Sequence, residues 1–424
     1  MAEIQRRTFL GMIGAGAALR TAVGQSPRAR AGDPPAATAT ATPTPSAEVR
    51  TFVSGREDGR FVETAAFLHK FLQKMRPRLE FHSDIPREAF PAWQKSVREK
   101  LLELMCFPET PSQPAPKRIA SEPREGYRLE RWEMYPEPHS VVPFFLLVPH
   151  GASPQSPSPA VLCFPGSTGS KENLAGEPER PGASIPADPK WLDNRMAWHY
   201  ARRGFVAMAV DSPATNELAA PLRERNSMSL AAIWMGRSYE AVTVFQKARL
   251  LQWLVEQPFV DPKRIATSGH SLGAKPADIL GVLYPDLVGA VVHNDFVCNW
   301  QERAVAENLD VPGAHQIVPG IFQWFDYTDL EASLAPRPLL FTEGGRAKQI
   351  AKIRRAYELH GAAEAMALYY YETYDDPASR PLDTAELPVG ITAEQYFQYA
   401  YVTPALHRFR PDRAVPWLAK VFGI

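Results

Sequence analysis

The sequence predicts a doubly wound α/β fold, in which helices cover both faces of a mainly parallel sheet. Three observations predict it. Short apolar strand segments alternate with helical segments from about residue 125 onward, a serine between two glycines lies where a strand gives way to a helix, and amphipathic helices precede the alternating region. Strands that alternate with helices require right-handed crossovers, and these produce a parallel sheet with both faces buried.

The first residues are typical of a signal peptide for export. Adjacent Arg6 and Arg7 precede Phe9 and Leu10 and a Gly/Ala-rich apolar stretch, a pattern similar to a twin-arginine signal peptide over residues 1–31. The apolar part is too short to span a membrane. We therefore expect a bacterial periplasmic or extracellular protein that meets the twin-arginine translocase during export and has no stable membrane insertion after signal cleavage.

Three further segments follow the predicted signal. Residues 32–55 form a tract rich in Pro, Ala and Thr without apolar periodicity, which predicts a linker. Residues 56–110 show apolar side chains at intervals of three and four, as amphipathic helices do, and are predicted to be a helical extension that packs on the next domain. Residues 111–424, which contain the alternating strands and helices, are predicted to be that domain.

Composition excludes several classes of protein. The 424 residues contain 47 basic and 47 acidic side chains, so no charge excess favours nucleic acid as a partner. Cys106, Cys163 and Cys298 are scattered and do not form the disulfide framework of a small secreted domain. The spacing of cysteines and histidines does not resemble a zinc site, so we expect neither a metal nor an organic cofactor.

The alternating region contains recognisable elements. Pro or Gly residues bound the strand candidates, which are YRLERWEMY, VPFFLLVP, PAVLCFPG, GFVAMAVDSP, RIATSGHS, LVGAVVHND, RPLLFTEGG and AMALYYYE. Residues 229–257 predict a long helix, and QIAKIRRAYELHG predicts another.

The motif GHSLG, residues 269–273, makes Ser271 a candidate nucleophile. It follows a predicted strand and precedes a predicted helix, which is the context of a nucleophile elbow. Gly269 and Gly273 suit such a turn because strand and helix backbones approach too closely for a Cβ atom. In a parallel sheet the loops at the carboxyl ends of strands carry the functional site.

From about residue 125 to the end, the chain resembles the α/β-hydrolase superfamily, and within it the bacterial secreted esterases similar to acetyl xylan esterases and dienelactone hydrolases. The specific parts are VDPKRIATSGHSLG, APRPLL at 335–340, and LHRF followed by AVPWLAKVF. The resemblance implies an α/β-hydrolase fold and a serine hydrolase. It also implies that His407, before the closing helix, is the catalytic base. The segment before it, 372–406, is longer than a minimal hydrolase needs.

The resemblance also implies an acidic residue that orients the catalytic histidine, and here the sequence departs from the common pattern of the family. Many relatives carry an Asp in the loop after the seventh strand, but here Arg346 and Lys348 stand where it would be expected, and Glu343 comes slightly early. A second location in the superfamily follows the sixth strand, where this chain has Asp295. The resemblance therefore favours Asp295 as the acid and leaves Glu343 in reserve. The pair Asp375 and Asp376 is a more distant candidate.

An oxyanion site requires two backbone N–H groups. The residue after the nucleophile, Leu272, is predicted to supply one. The turn PGSTGSKEN resembles the His-Gly turn of the family, with Pro165 in place of the histidine, and is predicted to supply the other from Ser167 or, next, Thr168.

Other side chains are predicted to shape the substrate pocket. His270 and His293 lie next to key positions and are expected to line the pocket rather than act as bases. Lys275 lies four residues after the nucleophile, and Trp300 and Trp324 belong to a segment where relatives place a cover. Aromatic side chains beside a cleft suit the faces of sugars, although aromatic residues more often pack in a core.

The sequence thus predicts an exported serine hydrolase that cleaves carboxylic esters, with acetyl or similar esters on carbohydrate as substrates, through a Ser-His-Asp acyl-enzyme mechanism. Two alternatives stay open: a glucuronoyl-type esterase, and a non-catalytic carbohydrate-binding relative that lacks a competent acid. A peptidase is a weaker hypothesis, because no propeller-like repeat precedes the hydrolase region.

Overall fold

The computed structural model describes residues 52–179, 182–220, 224–310 and 313–424. These residues form a nine-stranded sheet. The predicted signal, residues 1–31, and most of the predicted linker, 32–55, lie outside the described residues. The strands are β1 (Lys117–Arg124), β2 (Tyr127–Met134), β3 (Val142–Pro149), β4 (Ser158–Phe164), β5 (Val206–Val210), β6 (Val260–His270), β7 (Ala290–Asn294), β8 (Leu339–Phe341) and β9 (Met366–Leu368).

The spatial order of the strands is β1-β2-β3-β5-β4-β6-β7-β8-β9. The pairs β1/β2, β2/β3 and β3/β5 are antiparallel, and all later pairs, from β5/β4 to β8/β9, are parallel. The predicted strands are therefore present. The alternation did not predict β1, which is an exposed edge strand whose letters show no apolar face.

Helices cover both faces of the sheet, as the alternating pattern predicts. They are α1 (Thr64–Lys74), α2 (Phe90–Met105), α3 (Lys171–Ala175), α4 (Pro189–Asp193), α5 (Met196–Arg202), α6 (Arg225–Trp234), α7 (Tyr239–Val255), α8 (Ala274–Leu283), α9 (Trp300–Ala306), α10 (Tyr327–Ala332), α11 (Ala347–Leu359), α12 (Ala393–Ala400) and α13 (Pro411–Phe422). One face packs against α2, α7, α8, α10 and α11, and the other against α3, α5 and α13. The doubly wound α/β prediction is confirmed.

The long helix predicted over residues 229–257 is wrong as a single element. It is divided into α6 and α7, and the break contains Gly236 at a φ of +75°. Such a backbone angle costs little only for a residue without a Cβ atom. Apolar periodicity on both sides of the glycine concealed the turn from the sequence prediction.

The N-terminal helix α2 is part of the same core. Phe90, Val97, Leu101 and Met105 of α2 are fully buried in the cluster that fills one face of the sheet. Burial of apolar surface of this kind stabilises a fold by about 25 cal/mol per Å². The predicted helical extension thus packs on the sheet domain, while its predicted limits, 56–110, stay a prediction.

The long segment before His407 is ordered into several short helices and α12. Its apolar residues pack with the segment after β7 in a separate cluster that includes Cys298, Ala306, Tyr371, Tyr396 and Val402. This packing places the approach to His407 beside the carboxyl ends of β7 and β8. None of the described helices is both long and apolar enough to cross a membrane.

Candidate active site

Ser271 lies in a tight turn directly after β6. Its φ of 52° is in the left-handed region, which is costly for a residue with a side chain. A Cβ atom on Gly269 would collide with the carbonyl of Gly273, and one on Gly273 would collide with the carbonyl of Phe164 in β4. Only glycine fits at both positions, so the two glycines of the motif allow this turn to present the serine above the strand ends.

Ser271 and His407 line the same cavity at the carboxyl edge of the sheet. The cavity has a volume of about 50 Å³, and its polar lining includes Thr168, Asn173 and Lys190. The side chain of His407 is 23% exposed, and it follows a short helical turn at Pro404–Leu406. The structure therefore brings together the serine and the histidine that the sequence predicts.

The carboxylate that holds His407 belongs to Glu343, two residues after the end of β8. Glu343 Oε2 lies 2.6 Å from His407 Nδ1, and the side chain of Glu343 is fully buried. The same Oε2 accepts a hydrogen bond from the Tyr371 hydroxyl at 2.6 Å, and Oε1 accepts one from Asn294 Nδ2 at 3.1 Å. Three donors thus surround a carboxylate that is removed from solvent, which is how a buried charge is stabilised.

This geometry corrects the expectation that Asp295 contacts the imidazole. The carboxylate within hydrogen-bonding distance of His407 is that of Glu343, whereas Asp295 Oδ1 accepts a hydrogen bond from the backbone N–H of Phe296 at 2.9 Å. The structure thus places the reserve candidate where the first choice was expected. Asp375 and Asp376 lie in the exposed part of the late segment.

Two glycines explain why Glu343 reaches the histidine although it comes early in its loop. Gly344 and Gly345 have φ angles of +69° and +135°. The carbonyl of Gly344 accepts a hydrogen bond from Val297 N at 2.9 Å, and a Cβ atom on Gly345 would approach the Val297 backbone too closely. The loop therefore turns sharply after the glutamate and leaves Arg346 at the start of α11, where its Nη2 contacts the carbonyl of Ala385.

The sequence prediction missed Asn294 and Tyr371. Asn294 ends β7, fully buried, and its amide donates to Glu343 and to the carbonyl of Arg408 at 3.0 Å, while its Oδ1 accepts from Arg410 N at 2.8 Å. It therefore ties the acid to the loop that carries His407. The position of Asn294 beside Asp295 at a strand end was a usable signal, but three consecutive tyrosines at 369–371 gave no means to single out Tyr371.

The electrostatics of the two cavity histidines differ. Burial lowers the pKa of His407, but the charge and hydrogen bond of Glu343 outweigh this effect and raise its pKa to about 9. Burial keeps the pKa of His270 well below its ordinary value, and the charge of His407 lowers it further. The two rings lie 4.7 Å apart between centroids. His270 is therefore held neutral against the face of His407, consistent with its predicted role in shaping the pocket.

The predicted oxyanion residues lie beside the nucleophile. Ser167 and Thr168 line the cavity with Ser271, and the carbonyl of Ser167 accepts a hydrogen bond from Arg225 Nη2 at 2.7 Å, which anchors this turn. Leu272, directly after Ser271, is 7% exposed in the helical turn that leads into α8. The two backbone segments that the sequence singles out thus flank the cavity.

Three predicted pocket residues lie elsewhere. Lys275 Nζ lies 3.3 Å from the centroid of the Trp300 ring and 2.6 Å from Gln316 Oε1, and neither Lys275 nor Trp300 lines the serine cavity. Trp324 stacks with two cations of the N-terminal region, Arg78 at 4.7 Å and Lys100 at 4.0 Å. Trp300 and Trp324 therefore pack against other side chains of the protein, which is the alternative to sugar binding that was left open for aromatic residues.

Two groups of side chains in the described residues each bring three potential metal-ligand atoms within 4.8 Å of one another. One is His270, Glu343 and His407, whose contacts are those of the candidate active site. The other is Asp278, His293 and Glu331, which lies in the core. His293, expected from the sequence to shape the pocket, does not line the serine cavity.

Comparison with known proteins agrees with this geometry. The chain matches the Abhydrolase family over residues 44–420. A crystal structure of a candidate acetyl xylan esterase from Bacteroides fragilis is 35% identical, with a TM-score of 0.80 over 87% of this chain and 97% of that one.

A methylesterase structure shares the fold at 15% identity and a TM-score of 0.53, over 83% of this chain and 72% of the other. No curated protein matches the sequence significantly. The family match covers most of the chain, so the predicted resemblance to α/β-hydrolase esterases is confirmed, and the chain belongs to the Abhydrolase family.

Proposed function

We propose that this protein is an exported serine esterase that removes acetyl or similar short acyl groups from carbohydrate, with Ser271, His407 and Glu343 as its catalytic triad. The observation that carries the proposal is a single arrangement. Ser271 and His407 line one cavity, and a buried carboxylate lies 2.6 Å from the imidazole nitrogen. This is the arrangement of side chains that activates a serine hydroxyl.

The geometry supports an acyl-enzyme mechanism. Glu343 engages His407 Nδ1, so Nε2 is the nitrogen left to accept the proton of Ser271 as its Oγ attacks the ester carbonyl. The amides of Leu272 and Ser167 are proposed to bind the oxyanion of the tetrahedral intermediate. When the intermediate collapses, His407 returns the proton to the departing alcohol. Water then attacks the acyl-enzyme, gives its proton to His407, and releases the acid and the free serine.

The cavity favours a short acyl group. Its volume of about 50 Å³ holds about four water molecules, which is room for an acetyl group and little more. Asn173 and Asn194 in its lining are polar, as recognition of sugar hydroxyls requires. The relative that is 35% identical is a candidate acetyl xylan esterase, which points to the same substrate class.

One observation favours a second candidate, a glucuronoyl-type esterase. The exposed Lys190 lines the same cavity and carries a positive charge that would attract the ester carbonyl of a uronate substrate and the carboxylate released when the ester is cleaved. This candidate uses the same nucleophile and base and differs only in the acyl part of the substrate.

The test compares hydrolysis of an aryl acetate, an acetylated xylo-oligosaccharide and methyl glucuronate by the purified protein. We expect acetate release from the first two, and a decrease in kcat of about 10⁶-fold in Ser271→Ala because the nucleophile is lost. Ser167→Ala is the matched control, because a backbone amide is proposed to act there, and it should keep nearly full activity. Cleavage of methyl glucuronate alone would favour the second candidate. No hydrolysis of any substrate would favour the non-catalytic carbohydrate-binding alternative.

Export is a separate part of the proposal. It is supported by the adjacent Arg6 and Arg7 before an apolar stretch in the predicted signal. A reporter enzyme fused after residue 31 should reach the periplasm of a bacterial host. Replacement of both arginines by lysine should keep it in the cytoplasm. Export that persists in the lysine variant would contradict the twin-arginine route.

A further inference from the structure

A second histidine–carboxylate cluster lies in the core, away from the serine cavity. It consists of Asp278 on α8, His293 on β7 and Glu331 on α10, whose side chains are 1%, 6% and 3% exposed. His293 Nδ1 lies 2.7 Å from Asp278 Oδ2 and 3.9 Å from Glu331 Oε1. Each residue offers one ligand atom, and the three atoms lie within 4.8 Å of one another. We call this group the core cluster.

The side chains of the core cluster do not balance their charges. Two carboxylates share one imidazole, and within the described residues no lysine or arginine forms an ion pair with Asp278 or Glu331. With both carboxylates ionised, the three side chains carry a charge of about −2 with a neutral imidazole and about −1 with a protonated one, and an uncompensated charge in the interior costs several kcal/mol. A divalent cation bound to two carboxylates and a neutral imidazole would bring the total to zero.

The core cluster also contains polar atoms without partners. Within the described part of the chain, Asp278 Oδ1, His293 Nε2 and Glu331 Oε2 are buried and have no hydrogen-bond partner. The same holds for the Tyr327 hydroxyl and Thr328 Oγ1 on α10, which lie four and three residues before Glu331 and therefore on its side of the helix. Buried polar atoms of this kind are rare in proteins and require an explanation. A bound ion supplies one for the two carboxylates, because Asp278 and Glu331 each still have an oxygen to offer it.

We infer that the core cluster is a structural binding site for a divalent transition-metal ion, with Zn²⁺ as the best-suited ion. Imidazole with carboxylate is a ligand set that such ions accept, at metal–ligand distances of about 2.0–2.2 Å. Those distances place the ligand atoms of a tetrahedral site about 3.3 Å apart. The two contacts of His293, at 2.7 and 3.9 Å, lie on either side of this value, so small side-chain shifts would close the site around an ion.

The ion would connect three elements that meet behind the nucleophile. Asp278 lies on α8, the helix that begins directly after the Ser271 turn, and α8 packs on both β7 and α10. The bound ion would stabilise this junction and would not touch the substrate. The cluster His270, Glu343 and His407 differs, because hydrogen bonds already satisfy both oxygens of its carboxylate.

The experiment uses the full chain without a histidine tag. The protein is stripped with a chelator, equilibrated with Zn²⁺, and freed of excess ion before metal analysis and thermal unfolding. We expect about one Zn²⁺ per chain and a Tm higher by about 5 °C in the loaded protein, because an ion that binds only the folded state stabilises it. Mg²⁺ and Ca²⁺, which prefer all-oxygen sites, should not compete.

Variants locate the ion. Asp278→Asn and Glu331→Gln should each lose the bound Zn²⁺ and the Tm increase. Glu343→Gln and Ser271→Ala should keep both, which separates this site from the catalytic residues and from the outcome of the esterase assays. If the core variants do not fold, the inference is tested by the number of Zn²⁺ ions bound per chain and by the Tm increase in the wild type and in Glu343→Gln.

Three results would overturn the inference. The wild type could bind no Zn²⁺, which would leave bound protons to neutralise the core cluster. Zn²⁺ could be lost in Glu343→Gln but not in Glu331→Gln, which would place the ion at the serine cavity. The ion could bind without a change in Tm, which would show adventitious surface binding.

Discussion

The candidate active site and the core cluster each contain a histidine beside a carboxylate, but the surroundings of the two pairs differ. In each, a carboxylate oxygen lies about as close to the histidine Nδ1 as a strong hydrogen bond allows, at 2.6 Å for Glu343 with His407 and 2.7 Å for Asp278 with His293. At the serine cavity, Tyr371 and Asn294 satisfy the rest of the carboxylate. In the core, the second oxygen of Asp278 has no partner among the described residues.

The difference concerns what each pair can do. A carboxylate whose oxygens are all hydrogen-bonded keeps its charge and its position, so the imidazole can gain and lose a proton while its orientation stays fixed. His407 is also partly exposed, so it can exchange its proton with a substrate. The core pair does not line the serine cavity, and among the described residues Asp278 Oδ1 has no hydrogen-bond donor, which is the place that the inferred cation would take. The two pairs contain the same kinds of residue, so their surroundings account for the difference between them.

The largest effect is expected when the carboxylate of Glu343 at the serine cavity is replaced. Glu343→Gln removes the charge that stabilises the imidazolium and presents an amide to His407, so kcat for an aryl acetate should fall by about 10⁴-fold. Asp295→Asn is the matched control, and it should lose less than about tenfold because Asp295 does not hold the imidazole. Steady-state kinetics of both variants measure the difference. The reverse order would restore Asp295 as the acid.

A smaller effect is expected from the donor that only positions the acid. Tyr371→Phe removes a hydrogen bond to a charged oxygen, so kcat should decrease by about tenfold with little change in KM. The freed charge of Glu343 would act more strongly on His407, so the midpoint of the pH profile should move to higher pH. Tyr369→Phe, at a more exposed position of the same segment, is the control. Equal effects of the two variants would remove Tyr371 from the positioning role.

The smallest effect concerns the position of the pH profile. Only the neutral form of His407 accepts the serine proton, so kcat/KM of the wild type should rise with pH and reach half its maximum near the pKa of about 9. In Glu343→Gln the residual activity should have its midpoint at lower pH, because the charge that raises the pKa is gone. Hydrolysis rates across pH 5–10 test this, and identical midpoints would contradict the role of Glu343.

Parts of this architecture could be predicted from the sequence because local patterns determine them. The alternation of strands and helices gave the doubly wound sheet, and the glycines around Ser271 gave the elbow, since each depends on a few adjacent residues. His407 followed from the family resemblance and from its place before the closing helix.

Other parts depend on contacts that are distant in the chain. The choice between Asp295 and Glu343 depends on the left-handed glycines after Glu343 and on their contact with Val297. Asn294 and Tyr371 join the site only through packing of the late segment. The core cluster is equally hidden, because its three residues lie on three elements and their spacing does not resemble a metal motif.

The most direct test of the central claim is covalent labelling with a fluorophosphonate probe, followed by intact mass and peptide mapping. The probe requires a serine activated by its histidine and acid. We predict one label per chain on Ser271, a much slower reaction in Glu343→Gln, and an unchanged rate in Asp295→Asn. A label on another serine, or a rate that depends on Asp295 and not on Glu343, would contradict the account.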